Sequence, residues 1–128
     1  MNLTPDQARK KLVEALRSGE YVQARDSLRS EGGYCCLGVA CEIYRQEEGG
    51  PDWDYYQAHW SYGGHSHNLP ERVRRWLDFK RSGGLFSEPF QRDSKLVESL
   101  LDMNDSGMSF AEIADVIEQG KVALDSHD

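Results

Sequence analysis

Apolar residues near the start of the chain recur every three or four positions, as they do on one face of an α-helix. The residues on this face are Ala8, Leu12, Ala15 and Leu16. Thr4 and Gln7 have the spacing of a capping box, and Pro5 suits the first helical position. Gly19 is typical of the residue that follows a helix. The pattern therefore predicts a helix over about 4–18.

Similar spacing along the rest of the chain predicts four more helices. They cover about 36–47, 70–78, 94–104 and 109–119. The segment that starts at Cys36 is apolar around most of its circumference, which indicates a buried helix. Ser109 and Glu112 form a second capping box, at the start of the last helix.

Alternating polar and apolar residues predict strands near 21–27 and 53–62, and Gly32-Gly33 predicts a turn between them. The expected fold is α+β, with four to five helices packed on a small antiparallel sheet or hairpin. The length of 128 residues suits a single domain over 1–128, in which the tail 121–128 is expected to be flexible.

The inward positions of these elements predict the hydrophobic core. The expected members are Leu12, Leu16, Leu37, Val39, Ile43, Val73, Trp76, Leu77, Leu96, Leu100, Phe110, Ile113 and Ile117.

The formal net charge of −7 argues against nucleic acid and anionic membranes as partners. No apolar run approaches the ~20 residues that span a bilayer, and the N-terminal residues do not resemble a signal peptide. The three cysteines lie close together and do not form a disulfide framework, which is typical of a reduced, cytoplasmic protein.

Cys35 and Cys36 stand where the buried helix should begin, and a thiol at a helix N-terminus can be an activated nucleophile. His59, His65 and His67 lie downstream and could supply a base. Free cysteines more often pack as small apolar side chains, so we expect Cys36 and Cys41 to be inert and at least one of them to be buried.

The spacing of cysteine and histidine does not match a recognised zinc motif. Cys36 and Cys41 would lie about 140° apart around a helix and would point to different sides. No phosphate loop, dinucleotide motif or carboxylate pair is present. We therefore expect no metal and no cofactor.

The segment 53–62 is rich in aromatic side chains, which stack on nucleotide bases and also form protein-binding hot spots. One face of this segment is expected to belong to the core and the other to a binding surface. Nearby arginines could meet an anionic group. The predicted ligand-or-partner residues are Tyr55, Tyr56, His59, Trp60, Tyr62, Arg25, Arg72 and Arg75.

The segment 106–114 resembles the first helix of a helix-turn-helix. A DNA-reading protein needs a recognition helix after it, and only eight residues follow Gly120. The length of this tail argues against DNA binding here.

Three motifs occur in order along the chain and carry a resemblance to a known family. They are Tyr34-Cys35-Cys36-Leu37-Gly38-Val39 with Cys41, Leu69-Pro70 with Val73 and Trp76-Leu77, and Met103-Asn104-Asp105-Ser106-Gly107 with Ser109-Phe110 and Ile113-Ala114-Asp115. Together they resemble a family of small, uncharacterised proteins found in bacteriophage and prophage genomes. The resemblance implies a phage or phage-derived source and no particular activity.

Three functional hypotheses follow. The first is a non-catalytic phage or prophage protein that binds a host protein or captures a small ligand, which could be nucleotide-like, for example to counter host defence. The second is a small cysteine hydrolase that uses Cys35 or Cys36 with a downstream histidine. The third is a structural or assembly role as a homo-oligomer.

Overall fold

The chain alternates short helices with three β-hairpins. A computed structural model describes residues 2–127. The elements are α1 (Pro5–Arg17), β1 (Arg29–Ser30), β2 (Gly33–Tyr34), α2 (Cys36–Glu48), β3 (Asp54–Tyr56), β4 (His59–Ser61), α3 (Glu71–Leu77), β5 (Leu85–Arg92), β6 (Lys95–Ser99), α4 (Leu100–Asp105) and α5 (Phe110–Glu118). Each hairpin pairs two consecutive strands in antiparallel register. The α+β class is confirmed, with five helices in the described residues.

Both predicted capping boxes are present. The Gln7 backbone N–H donates to Thr4 Oγ1 at 3.2 Å, and the Thr4 N–H donates to Gln7 Oε1 at 2.9 Å. Ser109 and Glu112 exchange the same two bonds at the start of α5. These bonds satisfy donors that the first turn of a helix leaves unpaired, so they fix where α1 and α5 begin.

Helix α2 lies at the centre of the fold and packs against α1, α3 and α4. Its first nine residues are buried, as the wide apolar face predicts. Gly38 lies against the backbone of Leu28, and a Cβ at this position would overlap the Leu28 carbonyl. This glycine therefore allows the loop before β1 to approach the helix closely. Among the described residues, no helix is long and apolar enough to cross a membrane.

The predicted core is confirmed with one exception. Every side chain named for it is buried apart from Leu96, which is 47% exposed. Leu96 lies on the outer face of strand β6, whereas its neighbour Val97 points inward and is buried.

The helix predicted over 94–104 is wrong in its first half. Residues Lys95–Ser99 form β6, and only Leu100–Asp105 are helical. Asp93 and Ser94 both have positive φ, which is the backbone geometry of a tight hairpin turn. Ser99 then caps α4 by accepting a hydrogen bond from the Asp102 N–H. The spacing of the leucines in this segment fits both the period of a helix and that of a strand. The hairpin turn at Asp93-Ser94 pairs residues 95–99 with β5 and so makes them a strand.

The strand predicted over 21–27 is also wrong. This segment is a loop with one isolated bridge, between Gln23 and Tyr34. Asp26 has a φ of 70°, which ends any extended run. The loop backbone makes only two sheet-like hydrogen bonds among the described residues, from the Ala24 N–H to the Tyr34 carbonyl and from the Tyr34 N–H to the Val22 carbonyl. Other polar groups of the loop make hydrogen bonds to the α4–α5 region.

The strand predicted over 53–62 is a hairpin. Gln57 and Ala58 both have positive φ and turn the chain between β3 and β4. Neither residue type is typical of such a turn, so the local sequence gives no signal for it.

The C-terminal segment runs beside β5. Val122 is buried and bridges Phe86, and the Ser87 N–H donates to the Lys121 carbonyl at 2.9 Å. The flexibility expected for this tail stays a prediction, and Asp128 lies outside the described residues.

The side chain of Asn104 is polar and fully buried in the interior. Its Oδ1 accepts hydrogen bonds from the Cys36 backbone N–H at 3.1 Å and from Gln23 Nε2 at 3.0 Å. Its Nδ2 donates to the Ala24 carbonyl at 2.7 Å. Gln23 also donates to the Met108 carbonyl and accepts from the Phe110 N–H. Two amides therefore join the loop before β1, the start of α2 and the α4–α5 junction.

A pair of substitutions tests the reassigned β6 strand. Ile113→Ala should lower the free energy of unfolding by about 2–5 kcal/mol, because the side chain is fully buried. Leu96→Ala should cost less than about 1 kcal/mol, since Leu96 lies on an exposed strand face. Urea denaturation followed by circular dichroism measures both. Equal losses for the two variants would favour the helix and core position that the sequence predicted for Leu96.

The Asn104 contacts predict a large effect from a single polar substitution. Asn104→Ala leaves the Cys36 N–H and the Ala24 carbonyl without their partner, so we expect a loss of about 3 kcal/mol or more. Asn68→Ala is the matched control, because Asn68 is exposed. The control should change the free energy of unfolding by less than about 0.5 kcal/mol. Similar values for both variants would mean that Asn104 does not join these segments.

Candidate functional site

Two hairpins bring aromatic side chains together on one surface. In the β3–β4 hairpin, Tyr55 lies directly opposite Trp60, and their ring centroids are 4.7 Å apart. Residues directly opposite each other in an antiparallel pair lie on the same face, so the register forces this contact. Tyr55 is 57% exposed and Trp60 is half-buried beneath it.

Arg29 of β1 packs onto these rings. Its Cζ lies 3.6 Å from the centroid of the Trp60 ring, 5.3 Å from that of Tyr34 and 5.4 Å from that of Trp53. Tyr34 is the cross-strand partner of Arg29 in the β1–β2 hairpin. We call Arg29, Tyr34, Trp53 and Trp60 the arginine–aromatic cluster. A guanidinium in contact with several ring faces is held by cation–π attraction.

Helix α2 anchors the cluster through a carboxylate. Trp53 Nε1 donates to Glu42 Oε1 at 2.9 Å, and Arg45 and Gln46 donate to the same carboxylate. Burial favours the protonated acid, but the hydrogen bonds from Arg45, Trp53 and Gln46 outweigh it and hold the pKa of Glu42 below its usual value. The carboxylate is therefore ionised at neutral pH and fixes the indole of Trp53.

A groove of about 390 Å³ opens between the two hairpins, beside the cluster. The residues that line it include Tyr21, Arg29, Gly32, Tyr34, Tyr55 and Trp60, together with the exposed carboxylates of Glu20 and Glu31. We call this space the Arg29 groove. Tyr21 packs edge-to-face on Tyr34 at 5.6 Å, and burial raises the pKa of both phenols, so each keeps its proton at neutral pH.

Two glycines at the tip of the β1–β2 hairpin differ in their surroundings. A Cβ at Gly33 would overlap the Val22 carbonyl, whereas a Cβ at Gly32 would meet nothing within 4 Å. Gly33 is therefore required by the close approach of the preceding loop. Gly32 has open space beside the groove.

The predicted site residues of the aromatic segment divide between the surface and the core. Tyr55 and Trp60 line the groove, while Tyr56 and His59 pair at the exposed tip of the β3–β4 hairpin. Tyr56 is 74% exposed. Tyr62 is buried, and its hydroxyl makes no hydrogen bond with the residues that the structure describes.

The three predicted arginines lie outside the groove, and two of them, Arg72 and Arg75, lie on the same helix, α3. Arg25 sits against Gly107, at the α4–α5 junction. Arg72 lines a separate cavity with His65, and Arg75 pairs with Glu71 on the exposed face of α3.

Sequence reasoning missed Arg29, the cation that the structure places at the groove, and also Tyr21 and Tyr34. Arg29 and Tyr34 pair across a two-residue turn at Glu31-Gly32, one position before the Gly32-Gly33 turn that the sequence predicted. A hairpin placed on Glu31-Gly32, rather than a strand on 21–27, would have paired the two residues.

The cysteines are packed inside. All three side chains are buried, which confirms the burial expected for Cys36 or Cys41. Cys35 caps α2 by accepting a hydrogen bond from the Gly38 N–H at 3.4 Å, and Cys36 Sγ contacts the Leu100 carbonyl at 3.6 Å. Burial raises the pKa of Cys35 to about 11 and that of the other two thiols well above their usual range. The thiols are therefore protonated at neutral pH.

The histidines are exposed where the structure describes their side chains, and His67 Nδ1 lies 2.6 Å from the Asp26 carbonyl. Among the side chains that the structure describes, those of residues 2–126, no group of three or more His, Cys, Asp or Glu is arranged to hold a metal ion.

Comparison with known proteins gives one match. The family model described as Domain of unknown function (DUF8296) matches residues 5–121, which is nearly the whole chain. No curated protein and no solved structure shows significant similarity to this sequence.

The burial of the three thiols predicts that they react slowly with thiol reagents. At pH 7 the native protein should react with a thiol reagent at least about 100-fold more slowly than free cysteine, because the thiols are both protonated and enclosed. All three should react promptly in denaturant, which serves as the control. A single thiol that reacts faster than free cysteine in the native protein would contradict the burial and support a nucleophile.

Proposed function

The chain belongs to a family whose function is unknown, DUF8296, and we propose that this protein is a non-catalytic binding protein of phage or prophage origin. It acts in the cytoplasm of the host cell, where it binds a host protein or captures a small ligand, for example to counter host defence. The proposed origin rests on the motifs around Cys35-Cys36, Leu69-Pro70 and Asn104-Asp105 that resemble phage proteins.

One observation carries the binding role, namely the aromatic surface around the Arg29 groove. Tyr55 and Val22 line this groove and are 57% and 67% exposed. Tyr56, at the tip of the same hairpin as Tyr55, is 74% exposed. Exposed apolar surface next to a groove is typical of a binding site, and Tyr, Trp and Arg dominate binding energy at interfaces.

The rigid base of this surface adds support. Trp53 is hydrogen-bonded to Glu42, and Arg29 is held on the Trp60 ring, so the groove keeps its shape without a ligand. A preformed surface loses little conformational entropy on binding, which favours affinity.

The cysteine hydrolase hypothesis has less support. A nucleophile needs access to substrate and a neighbouring base, whereas Cys35 and Cys36 are buried and protonated. The assembly hypothesis rests on a different surface, the β5–β6 hairpin, where Leu85 and Leu96 are 38% and 47% exposed. A second copy of the chain could cover these two side chains.

Native mass spectrometry of the protein isolated from a bacterial host tests the proposal, because it reports a ligand, a partner and the oligomeric state together. The aromatic variant is Tyr55→Ala with Tyr56→Ala. The matched control is Leu85→Ala with Leu96→Ala, which removes two exposed side chains from the other hairpin. The aromatic variant should retain at least about tenfold less of the bound species, a change typical of hot-spot residues. The control should retain it in full.

Two results would count against this role. Loss of a dimer in the control variant alone would favour assembly through the β5–β6 hairpin. Equal retention of the bound species by both variants, with normal circular dichroism spectra, would mean that the aromatic surface does not bind it.

A further inference from the structure

Arg29 differs from the other half-buried arginines in its lack of a polar partner. Arg9 donates to the Leu77 carbonyl, Arg45 to Glu42, and Arg74 to Glu71 and Asp125. Among the described side chains, those of residues 2–126, the Arg29 guanidinium has no hydrogen-bond acceptor and no carboxylate within salt-bridge distance; its contacts are with aromatic rings.

This arrangement leaves the N–H donors of Arg29 unused. A guanidinium has five such donors, and ring faces attract its charge without accepting hydrogen bonds as an oxygen does. A partly buried charge is normally paired, because removal of water from an unpaired charge is costly. Arg29 lines the groove, so a ligand bound there can pair with these donors.

The arginine–aromatic cluster also fixes the position of the Arg29 guanidinium. Contact with Trp60 at 3.6 Å and the flanking rings of Tyr34 and Trp53 restrict its movement. The planar fork of N–H groups matches the paired oxygens of a phosphate or carboxylate. Such a pair forms at a smaller entropic cost when the arginine is already in place.

The walls of the groove suit a flat ring. Tyr55 presents a largely exposed ring, and Tyr21 and Tyr34 line the same space. A volume of about 390 Å³ falls within the range of about 300–1,000 Å³ that is usual for small-molecule sites. The exposed carboxylates of Glu20 and Glu31 can accept hydrogen bonds from hydroxyl or amino groups of a ligand, and solvent screens their repulsion of an anion.

From these observations we infer that the Arg29 groove binds a small ligand with a flat aromatic ring and one anionic group, as in a nucleoside monophosphate. The anion pairs with Arg29, and the ring packs against Tyr55. The inference rests on the proposed binding role and names the ligand chemistry of that site. The net charge of −7 favours one phosphate over a long polyanion.

Isothermal titration calorimetry with the full chain tests the inference. The probes are the four common nucleoside monophosphates, the corresponding nucleosides, inorganic phosphate, and phenylacetate as an aromatic carboxylate. At least one monophosphate should bind, and its nucleoside should bind at least about tenfold more weakly because it lacks the partner of Arg29. Binding of phenylacetate without any monophosphate would support the same chemistry with a carboxylate as the anion.

Substitutions of Arg29 test whether this residue binds the anionic group. Arg29→Gln should weaken binding of the monophosphate at least about tenfold, and Arg29→Lys should weaken it less, because lysine keeps the charge but not the fork. Arg92→Gln is the matched control, since Arg92 is an exposed arginine at the end of β5, outside the groove. If Arg29→Gln fails to fold, the comparison of nucleotide with nucleoside on the unchanged protein still decides the role of the anion.

Three results would overturn the inference: equal affinity for a nucleoside and its monophosphate, unchanged binding in a folded Arg29→Gln variant, or no binding of any aromatic anion. The proposed binding role is judged separately. If binding depends on Tyr55 and Tyr56 but not on Arg29, the protein still has the proposed binding role, but its ligand does not need an anionic group.

Discussion

A primary amide enclosed in a protein interior must satisfy both its oxygen and its nitrogen, because each unpaired group costs about 1–3 kcal/mol. Asn104 meets this requirement with partners from three separate segments, namely Gln23, Ala24 and Cys36. The directions of these bonds set where the loop before β1 lies against the start of α2. An apolar side chain at this position would fill space but would not define that placement.

The candidate site follows from this placement through a short series of contacts. Once the loop is fixed, the Leu28 carbonyl accepts the Cys35 N–H at 3.2 Å and lies over Gly38. Arg29 is the next residue, so its position is set by the backbone of α2. The same helix supplies Glu42, which accepts a hydrogen bond from Trp53, and the centroid of the Trp53 ring lies 5.4 Å from Arg29 Cζ. The surface is thus built from the most buried helix of the fold.

The helix ends could be predicted from the sequence because their signals are local. Thr4 with Gln7 and Ser109 with Glu112 each place cap and partner within one turn, and both boxes formed as expected. The segment that contains Leu96 could not be assigned in this way, because its apolar spacing fits a helix or a strand. The turn that decides between them lies outside that spacing.

The candidate site was only partly predictable for a related reason. The aromatic content of 53–62 identified Tyr55 and Trp60, which do line the groove. Arg29 was missed because its significance depends on the meeting of two hairpins that are distant in sequence. Tyr62 was predicted as a binding residue but is buried. The alternation of residues along a strand separates its two faces but does not say which residues the rest of the fold buries.

The two glycines at the tip of the β1–β2 hairpin differ in what a substitution would change: at Gly33 the packing of the fold, and at Gly32 the entrance of the groove. Gly33 is tied to the fold by its contact with the Val22 carbonyl, whereas the space beside Gly32 is open to the groove. A side chain introduced at position 32 would reach over the entrance without displacing backbone. Proteins with this fold can therefore change which ligands enter the groove by a substitution at position 32, while the packing beneath the hairpin stays unchanged.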